Sequence, residues 1–189
     1  MGIMKRTFDI VLALILMVLL GIPLLVVAIL IKLTSRGPVI FWTDRVGVNN
    51  AIFKMAKFRT MRSDAPQVAT HLMKNHGDYV TTIGKFLRKY SLDEMPQLFN
   101  ILKADMTFVG PRPALFNQYD LIELRTKKNI HKLIPGVTGW AQVNGRDNLS
   151  IPVKVEFDEY YLKNRSLFLD LKVILMTLIK AIRGEDVQH

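Results

Sequence analysis

The chain has 189 residues, no cysteine, and 26 Lys plus Arg against 16 Asp plus Glu, a formal net charge of +10. That length suits one main domain with an attachment and excludes a multidomain machine. Absence of cysteine excludes disulfides, thiolate metal sites and cysteine nucleophiles, and the basic balance favours anionic partners: nucleic acid, anionic lipid or phosphorylated small molecules.

From Ile10 to Ile31 every residue except Gly21 and Pro23 is Ala, Val, Ile, Leu or Met. As a helix this run is about 33 Å long, the thickness of a bilayer's hydrocarbon core. A cleaved signal peptide would be shorter and would end at small residues, whereas this run ends in Ile31-Lys32-Leu33. Lys5 and Arg6 precede it and Lys32 and Arg36 follow it, so the positive-inside bias draws both ends to the cytoplasmic side. Pro23 kinks such a helix. The residues therefore leave two geometries open, a re-entrant hairpin and a kinked span.

After the exit at Ser35-Arg36-Gly37-Pro38, the spacing predicts a strand at Val39–Trp42 and a partner over Ala51–Arg59, turning at Gly47-Val48-Asn49-Asn50. Lys54, Lys57, Arg59 and Arg62 interleave with Phe53 and Phe58, as an anion site or a solvated basic face would. Residues 63–82 read as a polar loop. Its His71 and His76 are five apart and miss the spacing that places two imidazoles on one helix face, so zinc is not expected. Ile83, Phe86, Leu87 and Tyr90 define a short basic amphipathic helix suited to lipid headgroups or to the core.

Ser91-x-x-Glu94 has the form of a capping box, with Met95, Leu98, Phe99 and Leu102 as the apolar stripe of the following helix and Pro96 in its first turn. Asp93 and Glu94 would then sit at the positive end of that helix, an arrangement also common in proteins without a catalytic site. Met106–Val109 reads as a strand. In Gly110-Pro111-Arg112-Pro113 the two prolines hold Arg112 on a stiff loop. Residues 114–129 read as helical, Pro135–Trp140 as loop and Ala141–Val143 as a strand. Asn144-Gly145 reads as a tight turn presenting Arg146. A helix begins within Phe157–Tyr161, and Leu167–Arg183 suits an interfacial or core helix.

Together these features suggest a diphosphate substrate at a membrane surface. Arginines on stiff loops bind phosphate oxygens in bidentate fashion, an Mg²⁺ ion needs only one or two protein carboxylates, and an ionised Asp attacks phosphorus. Neither a Gly-x-x-x-x-Gly-Lys-Ser/Thr loop nor a Rossmann glycine fingerprint is present. A non-enzymatic anchor whose basic face binds anionic lipid or nucleic acid explains the charge and the apolar run but not the acidic pair. A lipid-linked diphosphate phosphatase is the enzymatic rival.

Four ordered stretches, Lys57–Met61, Ser91–Asn100, Gly110–Pro113 and Pro135–Arg146, resemble the bacterial sugar transferase family, the monotopic polyprenyl-phosphate phosphoglycosyl transferases, in their small catalytic form. The resemblance implies transfer of a phospho-sugar from a UDP-sugar to undecaprenyl phosphate with release of UMP, by a ping-pong route with Mg²⁺. By motif match Asp93 carries the covalent phospho-sugar and contacts the metal, and Glu94 is its catalytic partner. Arg112 and Arg146 match phosphate or nucleotide contacts, and Lys57, Arg59, Arg88 and Gln142 are further substrate-binding candidates. It also implies a re-entrant membrane helix over residues 1–36, a cytoplasmic catalytic domain over 37–189, and both termini on the cytoplasmic face of the bacterial inner membrane. The expected fold is α/β and helix-rich, with a small β-sheet or hairpins and interfacial amphipathic helices. The expected partners are the UDP-sugar, undecaprenyl phosphate and membrane lipids, not nucleic acid; a homodimer is left open. Two departures are noted: Ile22-Pro23 replaces the family's usual Ser-Pro, and residues 148–153, with Pro152, differ from other small members.

Overall fold

The computed structural model describes residues 2–62, 64–65, 79–145 and 148–183. Its first element, α1 (Ile3–Thr34), contains Pro23 and is helical throughout, since a proline ring removes one i→i−4 bond without stopping a helix that has other support. Two other parts of the chain hold its ends. Near the start, Asp9 is fully buried and accepts from the Thr107 hydroxyl at 2.6 Å and the Phe108 N–H at 3.3 Å. Lys5 donates to Asp170 at 2.7 Å and to the Val109 carbonyl, while Arg6 donates to the carbonyls of Ile101 and Leu102. Near the end, Ile31 is buried with Phe58 and Leu87, and Leu24, Val27 and Ala28 pack on the same cluster. Between these anchors Val18, Leu19 and Ile22 are 81, 67 and 77 % exposed.

A helix that crossed a bilayer would carry its second half about 33 Å from Asp9, to the far side of the hydrocarbon, with none of the domain to pack against. Here both halves rest on one body and the apolar middle projects from it. That is the form of a monotopic, re-entrant membrane helix.

Strands β1 (Ile40–Val46) and β2 (Ile52–Phe58) form an antiparallel hairpin through a 3-10 turn in which Asn49 and Asn50 adopt positive φ. β1 runs four residues beyond the expected end at Trp42, which brings Arg45 into the pairing opposite Phe53. Helix α2 (Thr82–Lys89) is capped by the Thr81 hydroxyl, which accepts from Gly84 N–H. A Cβ on Gly84 would stand 2.1 Å from the Thr60 carbonyl oxygen, so only glycine lets α2 lie this close to the end of β2.

A 3-10 turn at Leu92–Glu94 leads into the short α3 (Gln97–Leu102), then β3 (Thr107–Val109) and α4 (Tyr119–Lys127). The expected helix over 114–129 is thus confined to its middle. β4 (Gly136–Thr138) pairs parallel with β3, and α5 (Trp140–Val143), α6 (Ile151–Asn164) and α7 (Leu167–Arg183) complete the chain. The strand expected at Ala141–Val143 is helical, and the strand lies one motif earlier. The cause is at Gly136, where a Cβ would meet Gly110 N at 2.1 Å: two glycines allow a backbone approach that no side-chain alternation signals.

The main core joins Leu98, Ile101, Met106, Val109, Leu121, Ile130, Val155 and Val173, with Leu12, Ala13, Leu16 and Met17 of α1 packed into it. α7 buries Leu169 and Val173 but leaves Phe168, Leu171, Leu175 and Leu178 exposed, an apolar outer face suited to a membrane interface.

Candidate active site

The acidic pair does not cap a helix. Ser91 is left-handed (φ 53°) and its side chain caps nothing, so the capping-box expectation fails. A capping serine needs an extended backbone, and here α3 begins only at Gln97. The two carboxylates are used tertiarily instead. Leu92 packs on the Ile31–Phe58–Leu87 cluster, so the turn bearing Asp93 rests on the returning half of α1.

Lys57, near the end of β2, donates to Glu94 Oε1 at 2.7 Å, and its Nζ lies 3.7 Å from Asp93 Oδ2. Arg112, from the Pro-Arg-Pro loop after β3, donates to the same Glu94 oxygen at 3.1 Å. Three segments distant in sequence therefore converge on the acidic pair. Glu94 is the more enclosed of the two, its side chain 8 % exposed against 12 % for Asp93. One Glu94 oxygen binds two cations, while the Asp93 carboxylate stands at longer range from Lys57.

Burial pushes the Asp93 carboxyl above the usual carboxylate range; Lys57 opposes this, Glu94 adds to it, and Arg88 and Arg112 oppose it. No helix terminus favours the ionised Asp93, as the capping reading expected; Lys57, Arg88 and Arg112 favour it, against the larger effect of burial. Arg88, on α2, donates through Nε to the Thr60 hydroxyl at 2.9 Å, and burial lowers its pKa against the pull of Asp93.

Arg45 joins this group although the sequence reading passed over it. Its position opposite Phe53 places it on the same hairpin face as Lys57, whose cross-strand partner is Phe41. One guanidinium nitrogen donates to the Pro113 carbonyl at 3.3 Å, while its buried Nε meets no acceptor among the described residues. Burial and the neighbouring Arg112 lower its pKa to about 10, with Glu94 opposing. The sequence signal for this face is the alternation Phe41-Thr43-Arg45, which a strand ending at Trp42 does not include.

Two of the other expected residues, Arg59 and Gln142, make contacts of a different kind. Arg59 donates to the carbonyls of Arg36 and Ser35 at 2.7 and 2.8 Å and to the Ser35 hydroxyl at 2.8 Å, fastening the end of α1 rather than facing Asp93. Gln142 is buried in α5; its amide nitrogen lies 3.4 Å from the Val137 carbonyl and its Oε1 has no partner among the described residues. Arg146, His71 and His76 lie outside the described residues.

Behind Arg112, the Arg125 guanidinium on α4 donates to the Arg112 carbonyl at 2.7 Å and to Asp158 of α6 at 2.6 and 3.0 Å. Among the described residues no three His, Asp or Glu side chains gather as a metal-holding cluster. The hard oxygens of Asp93 and Glu94 are the donors Mg²⁺ prefers, and one or two carboxylates suffice for an ion that takes its remaining ligands from phosphate and water.

An apolar helix packed at both ends on one domain, with a carboxylate pair among cations next to its C-terminal half, is the arrangement of a membrane-associated enzyme handling anionic substrates. The chain belongs to the bacterial sugar transferase family, whose model matches residues 1–184. It is 39 % identical over 189 residues to the "uncharacterized sugar transferase EpsL" of Bacillus subtilis, covering 99 % of this chain and 91 % of that one. It is 39 % identical over 186 residues to the UDP-N-acetylgalactosamine-undecaprenyl-phosphate N-acetylgalactosaminephosphotransferase of Aeromonas hydrophila, covering 95 % of this chain but 44 % of that one. It is 41 % identical over 188 residues to the UDP-glucose:undecaprenyl-phosphate glucose-1-phosphate transferase of Escherichia coli, covering 94 % and 40 %. The chain thus spans nearly all of one relative and less than half of the other two. The protein is an enzyme, a phosphoglycosyl transferase, and the reading as a non-enzymatic anchor falls.

Proposed function

We propose that the protein transfers a phospho-sugar from a UDP-sugar to undecaprenyl phosphate, releasing UMP, through a covalent intermediate on Asp93. The observation that carries this is the unequal use of the two acids. Glu94 is locked between Lys57 and Arg112, whereas Asp93 is held among cations with its carboxylate less engaged.

An Asp93 oxygen attacks the sugar-bearing phosphorus, the bond from that phosphorus to the UMP oxygen breaks, and UMP leaves with that oxygen. A phosphate oxygen of undecaprenyl phosphate then attacks the same phosphorus. The acyl-phosphate bond breaks, freeing the Asp93 carboxylate and the lipid-linked diphosphate sugar. Lys57, Arg88 and Arg112 balance the charge spread over the phosphoryl oxygens in both steps, with Arg146 as a further phosphate contact. Glu94 positions Lys57 and Arg112. Asp93, with Glu94 beside it, would hold Mg²⁺, which supplies charge neutralisation on the diphosphate when bound. Arg59 serves substrate binding only through the shape of the α1 exit, and Gln142, buried in α5, serves it only through the shape of the adjoining turn.

Residues 1–36 form the membrane unit and 37–189 the catalytic unit, on the cytoplasmic face of the bacterial inner membrane with both termini cytoplasmic. The partners of this reading are the UDP-sugar, undecaprenyl phosphate and membrane lipids, without nucleic acid. The test is incubation of purified protein with Mg²⁺ and UDP-sugars, without lipid, followed by peptide mass spectrometry. Phospho-sugar on Asp93, abolished in Asp93→Asn, is the expected outcome. UMP formed only when undecaprenyl phosphate is added, from protein that stays unlabelled, would remove the covalent step.

A further inference from the structure

Asn100 is fully buried on α3, and its side-chain amide is engaged from both ends. Oδ1 accepts from the Ala56 N–H at 3.0 Å, while Nδ2 donates to the Lys54 carbonyl at 2.8 Å and to Asp105 Oδ2 at 3.2 Å. Lys54 C=O and Ala56 N–H flank Met55 and lie on the edge of β2 that β1 leaves unpaired. The carboxamide takes the place of a third strand there, presenting an acceptor and a donor where a neighbouring peptide would. The main-chain carbonyl of Asn100 also accepts from the N–H groups of Asp105 and Met106, so the residue is held on its other side as well.

The consequence lies one residue further along β2. Lys57 follows Ala56, and the acids it meets precede Asn100 on the same short segment. We propose that Asn100 is a positioning residue for phosphoryl transfer, clamping β2 to the segment bearing Asp93 and Glu94 so that the Lys57 ammonium is set at both carboxylates. No other side chain among the described residues hydrogen-bonds the backbone of β2 between Lys54 and Lys57. Without the clamp the buried Ala56 N–H and the half-buried Lys54 carbonyl lose their partner, the strand end loosens, and the 2.7 Å Lys57–Glu94 contact is no longer fixed. The functional part rests on the transfer chemistry proposed above; the geometric part does not.

Two readouts separate them. Competitive amine acetylation of the full-length protein in detergent, read by peptide mass spectrometry, reports Lys57 against exposed Lys127 without any turnover. Asn100→Ala, and Asn100→Asp, which keeps the shape and the Oδ acceptor but loses the donor to Lys54, should raise Lys57 labelling several-fold and leave Lys127 unchanged. UMP release from UDP-glucose or UDP-N-acetylgalactosamine, with undecaprenyl phosphate and Mg²⁺, should fall about 100-fold, the scale of a 1 Å misplacement. Adding either variant to Lys57→Gln should cost less than about threefold more, because both remove one interaction. Unchanged Lys57 labelling, or losses that multiply independently, would overturn the proposal. So would failure of both variants to fold, since Asn100 would then serve the fold alone. Increased Lys57 labelling in the variants, with neither sugar turned over by the unsubstituted protein, would uphold the clamp and count against the transfer reading instead.

Discussion

Asp93 carries its charge at a cost to the fold. Its pKa is raised, with burial the largest cause, so the folded protein holds this proton more tightly than the unfolded chain does. The stabilising contribution is therefore fully present below the unfolded value and is lost as pH rises through the folded one. Asp93→Asn should abolish transfer yet melt at a temperature equal to or above the parent's at neutral pH, with the difference closing in acid. Thermal unfolding of both proteins in detergent across a pH series measures this, and an Asp93→Asn variant that is less stable at neutral pH would count against it. The same sign requires the transfer rate to rise with pH through that raised value, because only the ionised carboxylate attacks phosphorus.

Between elements, the ion pair of α4 with α6 supports the site from behind. Asp158 is buried, and burial raises its pKa against the opposing pull of Arg125. Replacing Arg125 with Met would strand that carboxylate and should cost about 3–5 kcal/mol, lowering the melting temperature by roughly 6–20 °C. Adding Asp158→Asn should recover part of this loss, as calorimetry or circular dichroism would record; no recovery would mean that the pair acts only through the Arg112 carbonyl. The element scale is also where local pattern misled. Ser-x-x-Glu fits a cap only if the serine is extended, and Gly110 and Gly136 approach each other where periodicity predicted a loop. In both places a contact from a distant segment overrode the local preference.

At the scale of the whole molecule, α1 makes the fold a membrane device. Its polar start is tied to β3 and α7 through Asp9 and Lys5, its end is fastened by Arg59, and the exposed middle is left for lipid. With no native cysteine in the chain, single cysteines at Gly2 and Ser166 should react with an impermeant maleimide from the same side of sealed vesicles. Labelling from opposite sides would mean that α1 crosses.

The membrane run, the basic excess, the stiff loop at Arg112 and most helices were legible in the sequence because each is a local property: hydropathy, composition, proline geometry, 3.6-residue periodicity. The family resemblance likewise named Asp93, Glu94, Lys57, Arg59, Arg88, Arg112, Gln142 and Arg146, without saying which of them meet. What only the tertiary structure decided is how they differ. Lys57 and Arg112 both donate to one Glu94 oxygen while Lys57 stands farther from Asp93, Arg45 enters through strand register, and Arg59 fastens the end of α1. Such assignments depend on distances between segments far apart in the chain, and no local periodicity encodes them.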